Sequence, residues 1–436
     1  MGRRAFLRAS ASAVGALALA ACGSAPTSTA RTAVTSTSPA GQDVSIGLIY
    51  PFSGPLAATG QDLKNGADMA LEAINNNHPE FAPLPFAAGE GLPINGTSRL
   101  RILYGDSEGD ANKADAEVQR LVGQEKVAAL IGCYQADVTR AASTRAEQLQ
   151  VPFVAPDSSS PSLTQRGYKW FFRLGPTDTV FTDLYFQFLA NVGSTAPFPS
   201  KKIALLHEST AAGTELSDAY KQAAAKNGFE IAADVTYAPG APDLGPEVDQ
   251  LKQLGAVLLF QGSYVNEAIL AVKSYQKAGY QPLMLLGQGA GFLDRTFVSS
   301  MAGIANSIVT RDVWSLDIAS RKPSSRNVAD EFKNKFGQDM NGHAARVFSA
   351  VITVADAMDR ARSTDRGAIQ RALQATNTPA AQLILPWDGI RFDQSGQNTL
   401  AKGVIAQLQG GAYKAVWPDT VASAKIIWPM QPWGTK

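Results

Sequence analysis

The sequence predicts an α/β chain of two doubly wound lobes, each built on a parallel sheet and joined more than once. Three observations carry that prediction. Short apolar runs rich in β-branched residues, such as Val44 to Tyr50, alternate with longer stretches whose apolar residues recur at helical spacing. The alternation pauses near residues 175–178 and then restarts. Roughly 390 residues follow the polar N-terminal stretch, more than one hydrophobic core normally holds.

Residues 1–21 read as an address. Arg3-Arg4-Ala5-Phe6-Leu7-Arg8 is a twin-arginine n-region, and Ala9 to Ala21 is a small, apolar h-region too short to span a bilayer. It ends in Leu19-Ala20-Ala21-Cys22-Gly23, a lipobox in which Cys22 is diacylated and becomes the new N-terminus. Residues 22–42 are rich in Ser, Thr, Ala and Pro and lack an apolar period, which predicts a disordered tether. The expectation is export by the twin-arginine route and lipid anchoring to the outer face of the cell membrane.

Charge and cysteine content narrow the function classes. The whole chain has 39 basic and 38 acidic side chains, and three arginines in residues 1–21 are the only charges there. The remainder is therefore slightly acidic, which argues against a nucleic-acid partner. Of two cysteines, the lipobox takes Cys22, so Cys133 has no intramolecular disulfide partner.

The stretch from Val44 to Asn76 sets the pattern for the rest. Pro51 stops the first strand, Ser53-Gly54-Pro55 makes a turn, and Leu63, Ala67, Ala70, Leu71 and Ile74 mark one helical face. In open α/β sheets, loops at the carboxyl ends of strands hold small ligands. A Pro/Gly-rich excursion over 82–98 leads to the strand Leu100–Tyr104. The acidic loop 105–110 reads as a helix entry, since it lacks the alternating oxygen ligands and closing glutamate of a calcium loop. Strands over 127–131 and 152–156 follow, each running into a small polar loop: 132–139, and Asp157 to Pro161. Both loops offer the backbone N–H groups that a carboxylate or amide requires. Beyond Asp178, strands at 203–206, 231–235, 256–260 and 283–286 alternate with helices, and a β-hairpin about Gly410-Gly411 closes the chain.

Several segments resemble the periplasmic binding proteins for branched-chain amino acids and amides, the substrate-capturing parts of ABC importers. Pro51-Phe52-Ser53-Gly54-Pro55, then Gly60, Gly66, Ala70 and Ile74-Asn75, match the opening of that family. Asp106, Asn112 and Ala114 match its second signature. Ser158-Ser-Ser-Pro-Ser-Leu-Thr-Gln-Arg-Gly-Tyr168 matches its most specific motif, and Phe392-Asp393 its closing segment, so the likeness runs from Val44 to Pro418. The resemblance implies a clamshell, with lobe 1 over 43–176 and 312–386 and lobe 2 over 177–310 and 387–436. Hinge crossovers are expected near 175–178, 309–312 and 386–391.

The resemblance also implies a binding site without cofactor or metal. Tyr264 stands for the family's wall tyrosine, and Ser159 for the threonine that holds the ligand's carboxylate and amino group. Asp157 falls where a backbone carbonyl usually serves. Ala136 replaces a serine, and Gln288 replaces the glutamate that faces the ligand's ammonium. Ser53, Tyr134 and Ser158 complete the expected ligand set, with Phe52 as a further wall. Gly132-Cys133-Tyr134 is closer to the amide and urea binders. The implied function is capture of a branched-chain or other neutral amino acid by a monomer that delivers it to a permease and ATPase.

Three alternatives stay open: an amide or urea binder, a surface sensor of the same fold, and an amide hydrolase using Cys133. Enzymatic signals are otherwise missing. His78, His207 and His343 are far apart in sequence, no G-x-S-x-G occurs, and Gly287-Gln-Gly-Ala-Gly291 lacks the third glycine of a dinucleotide loop.

Overall fold

The computed structural model describes residues 43–94, 96–301 and 303–434. The expected export signal, Cys22 and the tether lie outside the described residues. The first half runs β1 (Val44–Tyr50), α1 (Ala57–Asn75), β2 (Leu100–Asp106), α2 (Ala111–Gly123), β3 (Leu130–Gly132), α3 (Ala136–Gln148), β4 (Phe153–Ala155) and β5 (Phe171–Arg173). Its five strands form a wholly parallel sheet ordered β2-β1-β3-β4-β5. Ile46, Leu48, Leu130, Ile131, Phe153 and Val154 are completely buried, as expected of strands covered by helices on both faces.

The chain continues through α4 (Asp178–Thr195), β6 (Lys202–Glu208), α5 (Ala211–Lys226), β7 (Glu230–Tyr237), α6 (Gly245–Gln253), β8 (Leu258–Gly262), α7 (Val265–Ala278), β9 (Met284–Gly287), α8 (Arg295–Met301) and β10 (Val309–Asp312). Then come α9 (Leu316–Ala319), α10 (Pro323–Phe336), α11 (Gly342–Ala361), α12 (Arg366–Gln374), β11 (Asn377–Pro379), β12 (Gly389–Arg391), β13 (Val404–Gln409) and β14 (Ala412–Trp417). The second sheet is ordered β14-β13-β10-β9-β8-β6-β7.

Helix α11 returns to the first sheet and lies against α1. A Cβ on Gly66 would sit 2.3 Å from the carbonyl oxygen of Ala344, so only glycine allows this approach. The contact buries α11 along nearly its whole length. Helix starts are fixed by side chains at Asp110, Thr177, Thr210 and Asn341, which accept bonds from first-turn amides. On the acidic loop Asp110 caps α2 in this way, while Asp106 accepts from the amides of Phe52, Ser53 and Glu108 and ties the loop to the turn after β1. α3 differs: its N-cap, Gln135, makes no side-chain cap.

Two expectations are corrected. Phe171–Arg173 is a fifth strand that its three residues are too short to announce by period. The second sheet is mixed, because the hairpin about Gly410-Gly411 pairs antiparallel and β13 pairs antiparallel to β10. β12 pairs with β11, and residues 396–398 bond back to Arg173 of β5, so the chain stays with the first sheet until Asn398.

Candidate ligand-binding cleft

Both sheets reverse their winding direction once. In the first, β1 is followed outward by β2, and the chain then returns to place β3 on the other side. In the second, β6 and β7 run one way and β8 the other. Loops leaving the strands at such points diverge and open a crevice. The loops after β3 and β4 face those after β6, β8 and β9 across one cleft of about 910 Å³, part of it open to solvent.

Seven of the eight expected ligand residues line this cleft: Tyr134, Ala136, Asp157, Ser158, Ser159, Tyr264 and Gln288. Ser53 does not. Its backbone N–H donates to the Asp106 carboxylate, and Phe52 beside it packs edge-on against Tyr104. The turn at Ser53 serves the loop, not the cleft.

On the first-sheet wall the polar groups are mostly engaged with one another. Tyr50 donates its hydroxyl to Asp157 at 2.8 Å, and Arg346 donates Nε to the same carboxylate at 3.0 Å. Arg346 also reaches Asp312 through Nη1 at 3.0 Å and His343 Nδ1 through Nη2 at 3.1 Å. Because guanidinium only donates, Nδ1 must accept, which puts the proton of a neutral His343 ring on Nε2. Burial opposes the charge of Arg346, but Asp312 and Asp157 outweigh it and hold the guanidinium above its ordinary pKa. Burial raises Asp312 despite the same arginine. The Ser158 hydroxyl turns inward to Thr139 and the carbonyls of Cys133 and Tyr134. Asp157 is thus engaged by Tyr50 and Arg346 within the wall.

What this wall leaves free is backbone, together with His343 Nε2 and the Tyr134 hydroxyl. The amides of Ala136, Asp137 and Ser159 have no hydrogen-bond partner among the described residues, and the first two begin uncapped α3. Such N–H groups at a helix start favour an anion. Arg311 adds a buried cation: Nη2 binds Asp178 at 2.7 Å and reaches the Ser159 hydroxyl at 3.3 Å, while its Cζ lies 4.1 Å from the Phe181 ring centre.

The second-sheet wall is less committed. Gly291 packs so closely behind Tyr264 that a Cβ there would lie 2.2 Å from the Tyr264 carbonyl carbon, which fixes the loop after β8. Tyr264 and Tyr134 then face one another with ring centres 5.6 Å apart, and neither hydroxyl has a partner among the described residues. Gln288 is occupied: its Oε1 accepts from Tyr220 and its Nε2 donates to the Leu286 carbonyl. Glu208, at the end of β6, carries no hydrogen bond or ion pair on its carboxylate. Burial, then Glu267 and Asp137, push it up to about 7. Leu216, Leu293 and Phe181 supply apolar surface.

Sequence reasoning missed Glu208, Arg311, His343 and Arg346. The last two had a visible signal, a basic pair three residues apart inside an otherwise apolar helix. Glu208 and Arg311 had only their places beside strand ends. Cys133, by contrast, is completely buried, and burial raises its thiol far above ordinary values. Among the described residues no group of three potential metal ligands converges, and no helix is long and apolar enough to cross a membrane.

Known proteins share this fold. A family model described as periplasmic binding protein matches residues 43–412. A Leu/Ile/Val-binding protein homolog from Brucella suis is 26% identical over 403 residues, covering 90% of this chain and 95% of its own. The substrate-binding protein of a branched-chain amino acid transporter from Streptococcus pneumoniae, solved with isoleucine, superposes with a TM-score of 0.71 at 20% identity. It covers 89% of this chain and 100% of its own. A solute-binding protein from R. palustris, solved with benzoate, gives 0.70 at 16% identity, over 89% and 98% of the two chains. With the matched model spanning nearly the whole described chain, this protein belongs to the periplasmic binding protein family.

Proposed function

We propose that the chain is the extracytoplasmic solute-binding component of an ABC importer, anchored through Cys22. It captures a neutral, branched-chain amino acid between its two lobes and hands it to a membrane permease. The observation that carries this reading is the cleft itself. Unpaired amides at α3 and Ser159 face two tyrosines and an apolar patch, which suits a ligand with a carboxylate at one end and a hydrocarbon chain at the other. Residues 43–176 and 312–398 would move as one lobe and 177–311 with 404–434 as the other.

The Brucella relative named for Leu, Ile and Val, and the isoleucine-bound neighbour, support the ligand class. Capture without chemistry fits the site better than hydrolysis. Cys133 is buried, and its backbone and Thr139 satisfy each other with no base at hand. Titration calorimetry with leucine, isoleucine, valine, acetamide and urea tests the proposal. Binding of the branched amino acids is expected; binding of acetamide or urea alone would overturn the ligand class.

A further inference from the structure

Resting on the amino-acid reading above, we propose that Glu208 receives the ligand's ammonium group, in place of an acid at position 288. The argument is one of elimination among the carboxylates that line the cleft. Asp157 is held by Arg346 and Tyr50, and Asp178 is held by Arg311. Asp312, behind them, is held by Arg346. Glu208 alone among the lining carboxylates has no cation and no donor within the described residues.

A second observation is independent of charge. The amide at Gln288 spends its acceptor on Tyr220 and its donor on the Leu286 carbonyl, so that side chain has little left to offer a cation. Two strands away in the same sheet, β6 ends in Glu208 at the point where the winding reverses, the place where loops part to admit a ligand.

The surroundings make this acceptor sensitive to pH. Glu267 from α7 and Asp137 from α3 face it as like charges, and Tyr237 of β7 and Tyr264 before α7 are the neutral titratable groups around it. His207 beside it directs its ring to Asp234 and to the Glu208 carbonyl. With burial, these acids hold the Glu208 carboxyl protonated up to about pH 7. An ammonium needs the ionised form. Binding therefore releases a proton at acid pH and weakens as pH falls.

The test is calorimetric titration of L-leucine, and of its 2-hydroxy analogue lacking the ammonium, from pH 5.5 to 8.5. For the wild type, leucine affinity should fall about tenfold per pH step below 7 and level off above it. Glu208→Gln should cost leucine at least tenfold at pH 8, flatten its profile, and leave the hydroxy acid within about twofold. Glu208→Asp should retain the sloped profile, and Asp137→Asn should retain it with the midpoint moved to lower pH. An equal loss for both ligands in Glu208→Gln would overturn the proposal, as would leucine affinity independent of pH and of Glu208. Failure of the wild type to bind any amino acid would overturn the amino-acid reading and this inference with it.

Discussion

The two walls of the cleft are built on opposite principles. The first-sheet wall is mostly a paired polar network: Asp157, Arg346, Asp312, His343 Nδ1 and Tyr50 bond to one another, leaving backbone amides, His343 Nε2 and the Tyr134 hydroxyl without partners among the described residues. The second-sheet wall keeps side chains in hand, with Glu208 and the Tyr264 hydroxyl unengaged. A closed network fixes geometry, because each buried ion is held by the others and none can turn away without leaving a charge unpaired. An open set of side chains instead chooses among ligands. One wall positions, and the other discriminates.

The largest effect should come from breaking the positioning wall. Arg346→Ala would strand Asp157 and Asp312 in the interior and destabilise the protein by about 3–5 kcal/mol. Urea unfolding checks this; a loss under 1 kcal/mol would show that the network is not what holds the wall. Next is the discriminating wall. Tyr264→Ala should weaken leucine binding by about 2–3 kcal/mol, some 30- to 150-fold, with little change in the unfolding midpoint.

A smaller effect is expected where the walls meet outside the cleft. Glu215 on α5 accepts hydroxyls from Ser160 and Ser162 and lies 3.1 Å from Arg140 of α3. Although burial works against it, those hydroxyls and then Arg140 hold its carboxyl below the ordinary range. This latch loses strength as pH falls toward the ordinary carboxylate range and below. Glu215→Gln should cost about 0.5–1 kcal/mol of ligand affinity at neutral pH, and less at pH 4. The smallest effect belongs to Cys133→Ala, which should leave leucine affinity unchanged, while the native wild-type thiol resists alkylation for as long as the fold is intact.

Much of this architecture was legible before any coordinates. β1 is readable to the residue, since a seven-residue, largely apolar run ends at a proline, and the loops after β3 and β4 declare themselves through Gly, Ser and Ala. Three-residue β5 carried no period to read. The return of residues 396–398 to the first sheet depends on Arg173 bonding to residues more than two hundred positions away, which no local pattern reveals. Site residues divide the same way. Ser158, Ser159 and Tyr264 sit in loops with a recognisable motif, whereas Glu208 and Arg311 gain their meaning from strand order. Asp157 was visible as a charge, but its neutralisation by Arg346 lies across 189 positions of chain.

The central claim is that the cleft captures an amino acid, and ligand-induced thermal stabilisation of residues 40–436 tests it most directly. Leucine, isoleucine or valine at a hundred times its dissociation constant should stabilise the wild type by about 2.7 kcal/mol, read as a rise of several degrees in the midpoint. The same ligands at the same concentration should stabilise Tyr264→Ala by less than about 1 kcal/mol. No shift with any of the three amino acids, or an equal shift in wild type and variant, would contradict the account.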